Sequence, residues 1–135
     1  MPSFSPRSQS NLETLDPRLQ RILNDAIKYA DFSIICGYRG EEEQNEAFDN
    51  GYSKLRYPQS MHNTYPSKAV DLMPYPINWD IRDPDNLASI AHLMGFILGL
   101  ATAMGIRVRW GGDWNRNFMV ERREFRDVPH LELLD

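Results

Sequence analysis

The chain has 135 residues, of which 41% are hydrophobic and 25% charged, and its formal net charge is −4. This length fits one compact domain and leaves little room for a second folded module. The acidic balance argues against nucleic acid as the main partner, because phosphate binding requires a clustered positive surface.

The single cysteine, Cys36, cannot form an internal disulfide, and its apolar neighbours predict a buried thiol rather than a ligand or a nucleophile. Residues 1–10 lack the apolar stretch of a secretory signal, so we expect the protein to accumulate in the cytoplasm. We expect residues 1–15 to be loosely ordered and the protein to be a monomer.

Local patterns predict a mixed fold. Asp16 followed by Pro17 predicts the start of a helix, and apolar residues then recur at helical spacing up to Ala30. Residues 41–50 predict a short helix that ends at a glycine. Short apolar runs predict strands at 32–36, 68–73, 106–110 and 130–134. The expected class is α+β, with a small antiparallel sheet packed with about three helices.

A long apolar segment predicts the central helix of this fold, over residues 87–104. Residues 87–106 contain no formal charge and are long enough to cross a bilayer. Polar residues and three glycines lower the hydrophobicity of this segment. Asp85 and Asn86 are suitable N-caps, and Gly105 is suited to end the helix. We therefore favour a helix that is buried on all sides at the centre of a small domain over a membrane span.

Two short segments, 60–71 and 127–132, contain the residue types of a metal site. Together they hold two histidines and several carboxylates. Two imidazoles and one carboxylate suit a catalytic zinc, because three protein ligands leave the fourth tetrahedral position for water. These segments therefore predict a metal-dependent hydrolase.

The order of these residues resembles a known family. Ser60 and His62 form a Ser-x-His motif, Ala69-x-Asp71 follows, and Asp127-x-x-His130-x-Glu132 comes last. The set is similar to the zinc peptidases that cut peptidoglycan stem peptides, which include VanY-like D-Ala-D-Ala carboxypeptidases and phage L-alanyl-D-glutamate endopeptidases. The phage endolysins are the more similar group, because of the flanking segments 37–40, 43–44 and 110–114. One departure is that His62 and Asp71 are nine positions apart, two more than in the commonest form.

The resemblance implies a role for each site residue. His62, Asp71 and His130 would bind Zn²⁺, and Arg39 would stabilise the oxyanion or hold a substrate carboxylate. The family places its catalytic acid three positions before the last histidine, which here is Asp127. Strand alternation instead favours Glu132 as the base, because it would share a face with His130. We favour Asp127 and give Glu132 a supporting role. Substrate contacts are expected from Ser60, Gln44, Asp113 and Trp110.

Three functions remain open from the sequence. The favoured one is an L-alanyl-D-glutamate endopeptidase acting on peptidoglycan without a separate wall-binding domain. The alternatives are a D-Ala-D-Ala carboxypeptidase or dipeptidase with the same zinc site, and a non-catalytic wall-binding or virion protein. An endolysin of this kind would remain in the host cytoplasm until a holin opens the membrane. Six arginines within residues 105–126 suggest either an ordinary solvated surface or a weakly positive face toward the anionic wall.

Overall fold

The computed structural model describes residues 2–121 and 126–135. Within these residues the fold is α+β, as predicted, with four α-helices and one four-stranded antiparallel sheet. The helices are α1 (Pro6–Leu12), α2 (Pro17–Ala26), α3 (Glu41–Asp49) and α4 (Pro84–Ala103). The strands are β1 (Phe32–Cys36), β2 (Ala69–Pro74), β3 (Val108–Trp110) and β4 (His130–Leu133), and a short 3-10 helix covers Met61–Asn63.

The sheet order β1-β2-β4-β3 places β2 and β4 at its centre. In the β2–β4 pair, Asp71 lies opposite His130, and Ala69 lies opposite Glu132. A register shift in β1 between Ile34 and Cys36 brings Cys36 opposite Asp71. The antiparallel register therefore places Asp71 and His130 side by side on neighbouring strands, although they are distant in sequence.

The first helix corrects the expectation that residues 1–15 are loosely ordered. α1 begins after Ser5, whose side chain accepts a hydrogen bond from the Ser8 backbone, and Leu12 is 1% exposed. The Ser8 hydroxyl accepts the backbone N–H of Ile34, and the Asn11 side chain donates to the Ile34 carbonyl. α1 therefore satisfies polar backbone groups of the edge strand β1, a tertiary role that its polar sequence does not indicate.

Helix α2 confirms its predicted start. The Asp16 carboxylate caps the N–H of Arg18, and Pro17 occupies the first turn. Its apolar face is fully buried, through Leu19, Ile22, Leu23 and Ala26. The cap and the 3.6-residue period therefore predicted the start and the buried face of α2, whereas the helix ends at Ala26, before the last apolar residue of the predicted pattern, Ala30.

Helix α4 differs from the predicted central helix in its start and its burial. It begins at Pro84, because the Asp83 carboxylate caps the N–H of Asp85, and it ends before Gly105, whose φ is 72°. One face packs against α2, β2 and β3, through Ile90, Leu93, Met94, Ile97 and Ala101. The opposite face is solvent-exposed. Among the described residues α4 is long and apolar enough to cross a membrane by length and composition, and 28% of its most apolar window is buried.

Candidate active site

The 3-10 helix positions His62 at the base of the site. The Ser60 hydroxyl accepts the N–H of His62, and the Asn63 side chain accepts the N–H of Ser60, which together form a capping box. The Nδ1 of His62 lies 2.8 Å from the carbonyl oxygen of Gly37. Because a carbonyl can only accept, Nδ1 carries the proton and donates, which leaves Nε2 facing Asp71 Oδ1 at 3.2 Å.

His130 presents its other ring nitrogen to the same carboxylate. Its Nδ1 lies 3.3 Å from Asp71 Oδ1, while its Nε2 lies 2.8 Å from Glu132 Oε1. A carboxylate behind a histidine fixes the tautomer and the ring orientation of a metal ligand. Glu132 is itself held by Arg109, whose Nη2 donates to Glu132 Oε2 at 2.9 Å.

His62, Asp71 and His130 form one cluster with ligand atoms within 4.8 Å of one another. The two histidines are buried and Asp71 is half-buried. His62 Nε2 and His130 Nδ1 converge on the same oxygen of the Asp71 carboxylate, at 3.2 and 3.3 Å. The predicted ligands come together although the spacing between His62 and Asp71 is longer than in the commonest motif. Two imidazoles and one carboxylate with converging donor atoms fit a metal ion.

The loop before β2 accommodates the extra residues of this spacing. The backbone N–H of Ser67 donates to Thr14, and the carbonyl of Ser67 accepts from Asp16. The Ser67 hydroxyl donates to the Ala69 carbonyl at the start of β2. These hydrogen bonds attach the loop to the segment between α1 and α2. They place the start of β2 so that Asp71 lies beside His62.

The cluster is strongly coupled electrostatically. Burial by itself lowers the pKa of His62, but attraction to the Asp71 carboxylate outweighs it and raises this pKa to about 10. Burial also lowers the pKa of His130, but its hydrogen bonds to Asp71 and Glu132 outweigh this effect and raise the pKa to about 9. Burial would raise the pKa of Asp71, but the two imidazoles hold it below its usual range. A cation that enters the cluster must therefore displace protons from the histidines.

Asp127 and Glu132 lie on opposite sides of His130. Asp127 Oδ2 is 3.9 Å from His130 Nδ1, on the side of the ring that faces Asp71. Its side chain is 40% exposed, and burial together with the Asp71 charge raises its pKa. Glu132 contacts only the far nitrogen, Nε2. The geometry therefore gives Asp127 access to a ligand bound at the cluster and gives Glu132 a supporting position.

Arg39 points into the cluster from the segment after β1. Its Nη2 lies 3.6 Å from Asp71 Oδ2, and its Nη1 donates to Gln44 Oε1 at 2.9 Å. Gln44 is fully buried and also binds Asn63, Ser53 and the carbonyl of Leu55. Gln44 therefore supports Arg39 and the 3-10 helix, and its side chain is not accessible to a substrate. Ser60 is also buried, as the cap of that helix.

Trp110 and Asp113 have structural partners. Trp110 is 5% exposed, and its indole nitrogen donates to the Val128 carbonyl at 2.6 Å. The Asp113 carboxylate accepts the backbone N–H groups of Asn117 and Phe118. Trp110 is thus a core residue and Asp113 shapes the loop after β3. Direct substrate contact by either residue stays a prediction.

Two residues outside the set of predicted site residues support the site. The ring of Trp114 packs against His130 with a centroid distance of 5.6 Å, and the Arg109 guanidinium lies 5.0 Å from the Trp114 ring. Arg109 faces Glu132 across the β3–β4 pair, so only the strand register reveals its partner. Cys36, predicted as a core residue, is half-buried, and its Sγ lies 4.0 Å from His62 Nδ1 and 3.6 Å from Arg39 Nη2.

Comparisons with known proteins agree with this geometry. A family model described as phage L-alanyl-D-glutamate peptidase matches residues 2–134. The crystal structure of the L-Ala D-Glu endopeptidase ChiX from Serratia marcescens is similar, with a TM-score of 0.72 and 28% sequence identity. The match covers 98% of this chain and 90% of that chain. No match was found among curated protein sequences. The match over nearly the whole chain means that this protein belongs to the phage L-alanyl-D-glutamate peptidase family.

Proposed function

We propose that the protein is a zinc-dependent endopeptidase that hydrolyses the L-alanyl-D-glutamate bond of peptidoglycan stem peptides and acts as a phage endolysin. The observation that carries the proposal is the three-residue cluster with Asp127 beside it and Glu132 behind it. Family membership supports the choice of bond. The two imidazoles and one carboxylate favour zinc over calcium or magnesium, which prefer all-oxygen sites.

His62, Asp71 and His130 would hold the zinc ion. When bound in such a site, zinc polarises a carbonyl and lowers the pKa of its water to about 7. By accepting the proton of His130 Nε2, Glu132 would leave Nδ1 of the same ring unprotonated and able to hold the ion. The Gly37 carbonyl does the same for His62 by accepting the proton of Nδ1.

Asp127 moves the protons of the reaction in this proposal. It takes a proton from the attacking water and delivers it to the leaving amine of D-glutamate, so that the peptide bond breaks without releasing an amide anion. Its partial exposure and its raised pKa both suit a carboxyl group that gains and loses a proton during turnover. Arg39, fixed by Gln44, places a permanent positive charge where negative charge develops on the carbonyl oxygen.

Product analysis tests the proposed bond. Purified peptidoglycan treated with the zinc-loaded protein should release fragments with new D-glutamyl amino termini, identified by mass spectrometry. Release of free D-alanine without solubilisation of the wall would instead assign the protein as a D-Ala-D-Ala carboxypeptidase. Neither product from a zinc-loaded protein would favour a non-catalytic wall-binding role. The Asp127→Asn variant, prepared in parallel, controls for contaminating hydrolases.

The proposed lysis role includes a step of delivery across the membrane. The protein would remain in the host cytoplasm until a holin opens the inner membrane, without any direct contact with the holin. Expression in the cytoplasm should be tolerated, and the culture should lose turbidity only after the inner membrane is permeabilised. Lysis without permeabilisation would contradict this part of the proposal and leave the assignment of the bond intact.

A further inference from the structure

An apolar groove lies on the face of the molecule formed by α4 and the loop after β3. We call it the α4 groove; its volume is about 800 Å³, and its apolar lining includes Gly95, Leu98, Gly99, Ile106, Phe118 and Val120. The metal-ligand residues, Asp127 and Arg39 do not line it. The groove therefore excludes the proposed catalytic residues, and it adjoins the site through Arg109, Trp110 and Asp113.

The outer face of α4 carries mostly small or polar exposed residues, which are Ala88, Ser89, His92, Gly95, Gly99, Thr102 and Ala103, and Phe96 is its large exposed apolar side chain. Asp85 is the only charged residue in the twenty residues of the helix. The most apolar window of the helix has a mean hydropathy of 1.5, and 28% of that window is buried; Leu87, Ala91, Leu98 and Leu100 are half-buried. The helix thus brings no charge other than Asp85 to this face, and the large exposed apolar side chains beside the groove come from the loop after β3.

The loop beside the groove holds apolar side chains in solvent. Phe118 is 91% exposed, Met119 is 60% exposed and Val120 is 41% exposed. Phe118 has a φ of 65°, a left-handed conformation that is costly for a bulky side chain. The Asp113 carboxylate fixes this conformation by accepting the backbone N–H of Phe118 at 2.8 Å. The fold thus maintains a strained loop whose effect is to present an aromatic ring to the outside.

The charges that line the groove are positive. Arg107 and Arg116 are exposed lining residues, whereas Arg109 is paired with Glu132. Asp113 is the acidic residue among the described lining residues, and its oxygens already accept backbone N–H groups. Arg122 and Arg123, which belong to the same arginine-rich segment of the sequence, lie outside the described residues. The groove therefore combines apolar surface with cationic side chains, although the whole chain carries a net charge of −4.

We propose that this face binds the surface of a membrane that contains anionic phospholipids. Phe118, Met119 and Val120 enter the boundary between headgroups and acyl chains, and Arg107 and Arg116 pair with lipid phosphates. Exposed apolar side chains next to arginines suit a bilayer interface, where the apolar groups leave water and the guanidinium groups stay at the headgroups. Binding of this kind does not depend on peptidase activity.

Vesicle sedimentation tests the proposal. The zinc-loaded full chain is mixed with vesicles of phosphatidylcholine alone or of phosphatidylcholine with phosphatidylglycerol. We expect binding to the anionic vesicles that weakens as salt is added, and little binding to the neutral ones. Phe118→Ser should weaken binding by about tenfold or more, since one buried phenyl ring is lost. Arg116→Glu should weaken it by about tenfold, because the charge is reversed at the surface.

Two control variants change an exposed aromatic residue and an exposed arginine outside the α4 groove. Tyr52 is 86% exposed and the Arg82 side chain is 92% exposed, and neither lines the groove. Tyr52→Ser and Arg82→Glu should therefore bind vesicles like the unaltered protein. All variants are first checked for folding and wall hydrolysis. Equal binding to both vesicle types, or equal losses in the groove and control variants, would overturn the proposal. Self-association without vesicles that Phe118→Ser abolishes would also overturn it and assign the face to a second copy of the chain.

Discussion

Substitution of each of the two carboxylates beside His130 should separate an effect on zinc binding from an effect on turnover. Asp127 lies on the Nδ1 side of the ring and Glu132 on the Nε2 side, so their removal should affect different steps. Asp127→Asn should keep zinc and lower turnover by about 10²- to 10⁴-fold, the usual contribution of general acid–base catalysis. Glu132→Gln should weaken zinc binding by about 10- to 100-fold, the usual effect of losing a carboxylate that orients a ligand histidine.

The contacts of the two carboxylates with His130 explain why the expected effects on turnover and on zinc affinity differ. Asp127 is 3.9 Å from the ligand nitrogen of His130, too far for a hydrogen bond that would hold the ring in place. Glu132 accepts from His130 at 2.8 Å and from Arg109 at 2.9 Å, and it is 7% exposed. Its replacement by a neutral amide leaves the Arg109 charge without its partner and removes the charge that favours the required tautomer of His130.

Two assays read the two effects independently. Zinc affinity is measured by competition with a chromogenic chelator, and turnover is measured on purified peptidoglycan with saturating zinc. Asp49→Asn, a change to an exposed carboxylate on α3, serves as the control for loss of an acidic charge. A large loss of turnover in zinc-saturated Glu132→Gln, together with a nearly unaffected Asp127→Asn, would refute the reasoning and assign the base to Glu132.

Three further predictions test other parts of the structure. Gly111→Ala should destabilise the fold by about 1–3 kcal/mol in thermal denaturation, because a Cβ there would collide with the Asp127 carbonyl; an unchanged melting temperature would contradict this. Zinc binding at pH 7 should release about two protons, because pKa values of about 10 and about 9 keep His62 and His130 protonated below those values, and affinity should fall as pH is lowered. Titration calorimetry in buffers of different ionisation enthalpy measures this release, and a value near zero would be inconsistent with it. Leu12→Ala should lower the free energy of unfolding in urea by about 2–5 kcal/mol, whereas a loosely packed N-terminus would show almost no change.

Sequence patterns predicted the elements whose signals are local. The Asp-Pro cap of α2 and the apolar run of β1 depend on neighbouring residues, and both predicted positions are confirmed. The same Asp-Pro signature occurs at Asp83 and Pro84, where α4 starts, three residues before the predicted start. That signal was present in the sequence, but Asp85 and Asn86 also suit a cap, and propensity alone did not distinguish them.

Elements defined by long-range contacts were harder to predict. The polar residues of α1 gain their role only when β1 lies beside them, so local patterns did not predict this helix and residues 1–15 were expected to be loosely ordered. For the site, the motifs identified the ligand residue types, but the supporting pair of Arg109 and Trp114 depends on the register of β3 against β4. Sequence alone does not show which tryptophan faces His130: the predicted contact Trp110 is 5% exposed in the core, whereas Trp114 packs against the His130 ring.

The sheet order β1-β2-β4-β3 has a consequence for the order in which the molecule assembles. β4 follows the other described strands in sequence but lies between β2 and β3, so β3 has no partner in the described sheet until β4 has joined. Asp71 and His130 are 59 positions apart and meet only through this final pairing. The cluster therefore stays incomplete until β4 has paired with β2, and newly made protein becomes able to bind metal at this site only after that strand has joined the sheet.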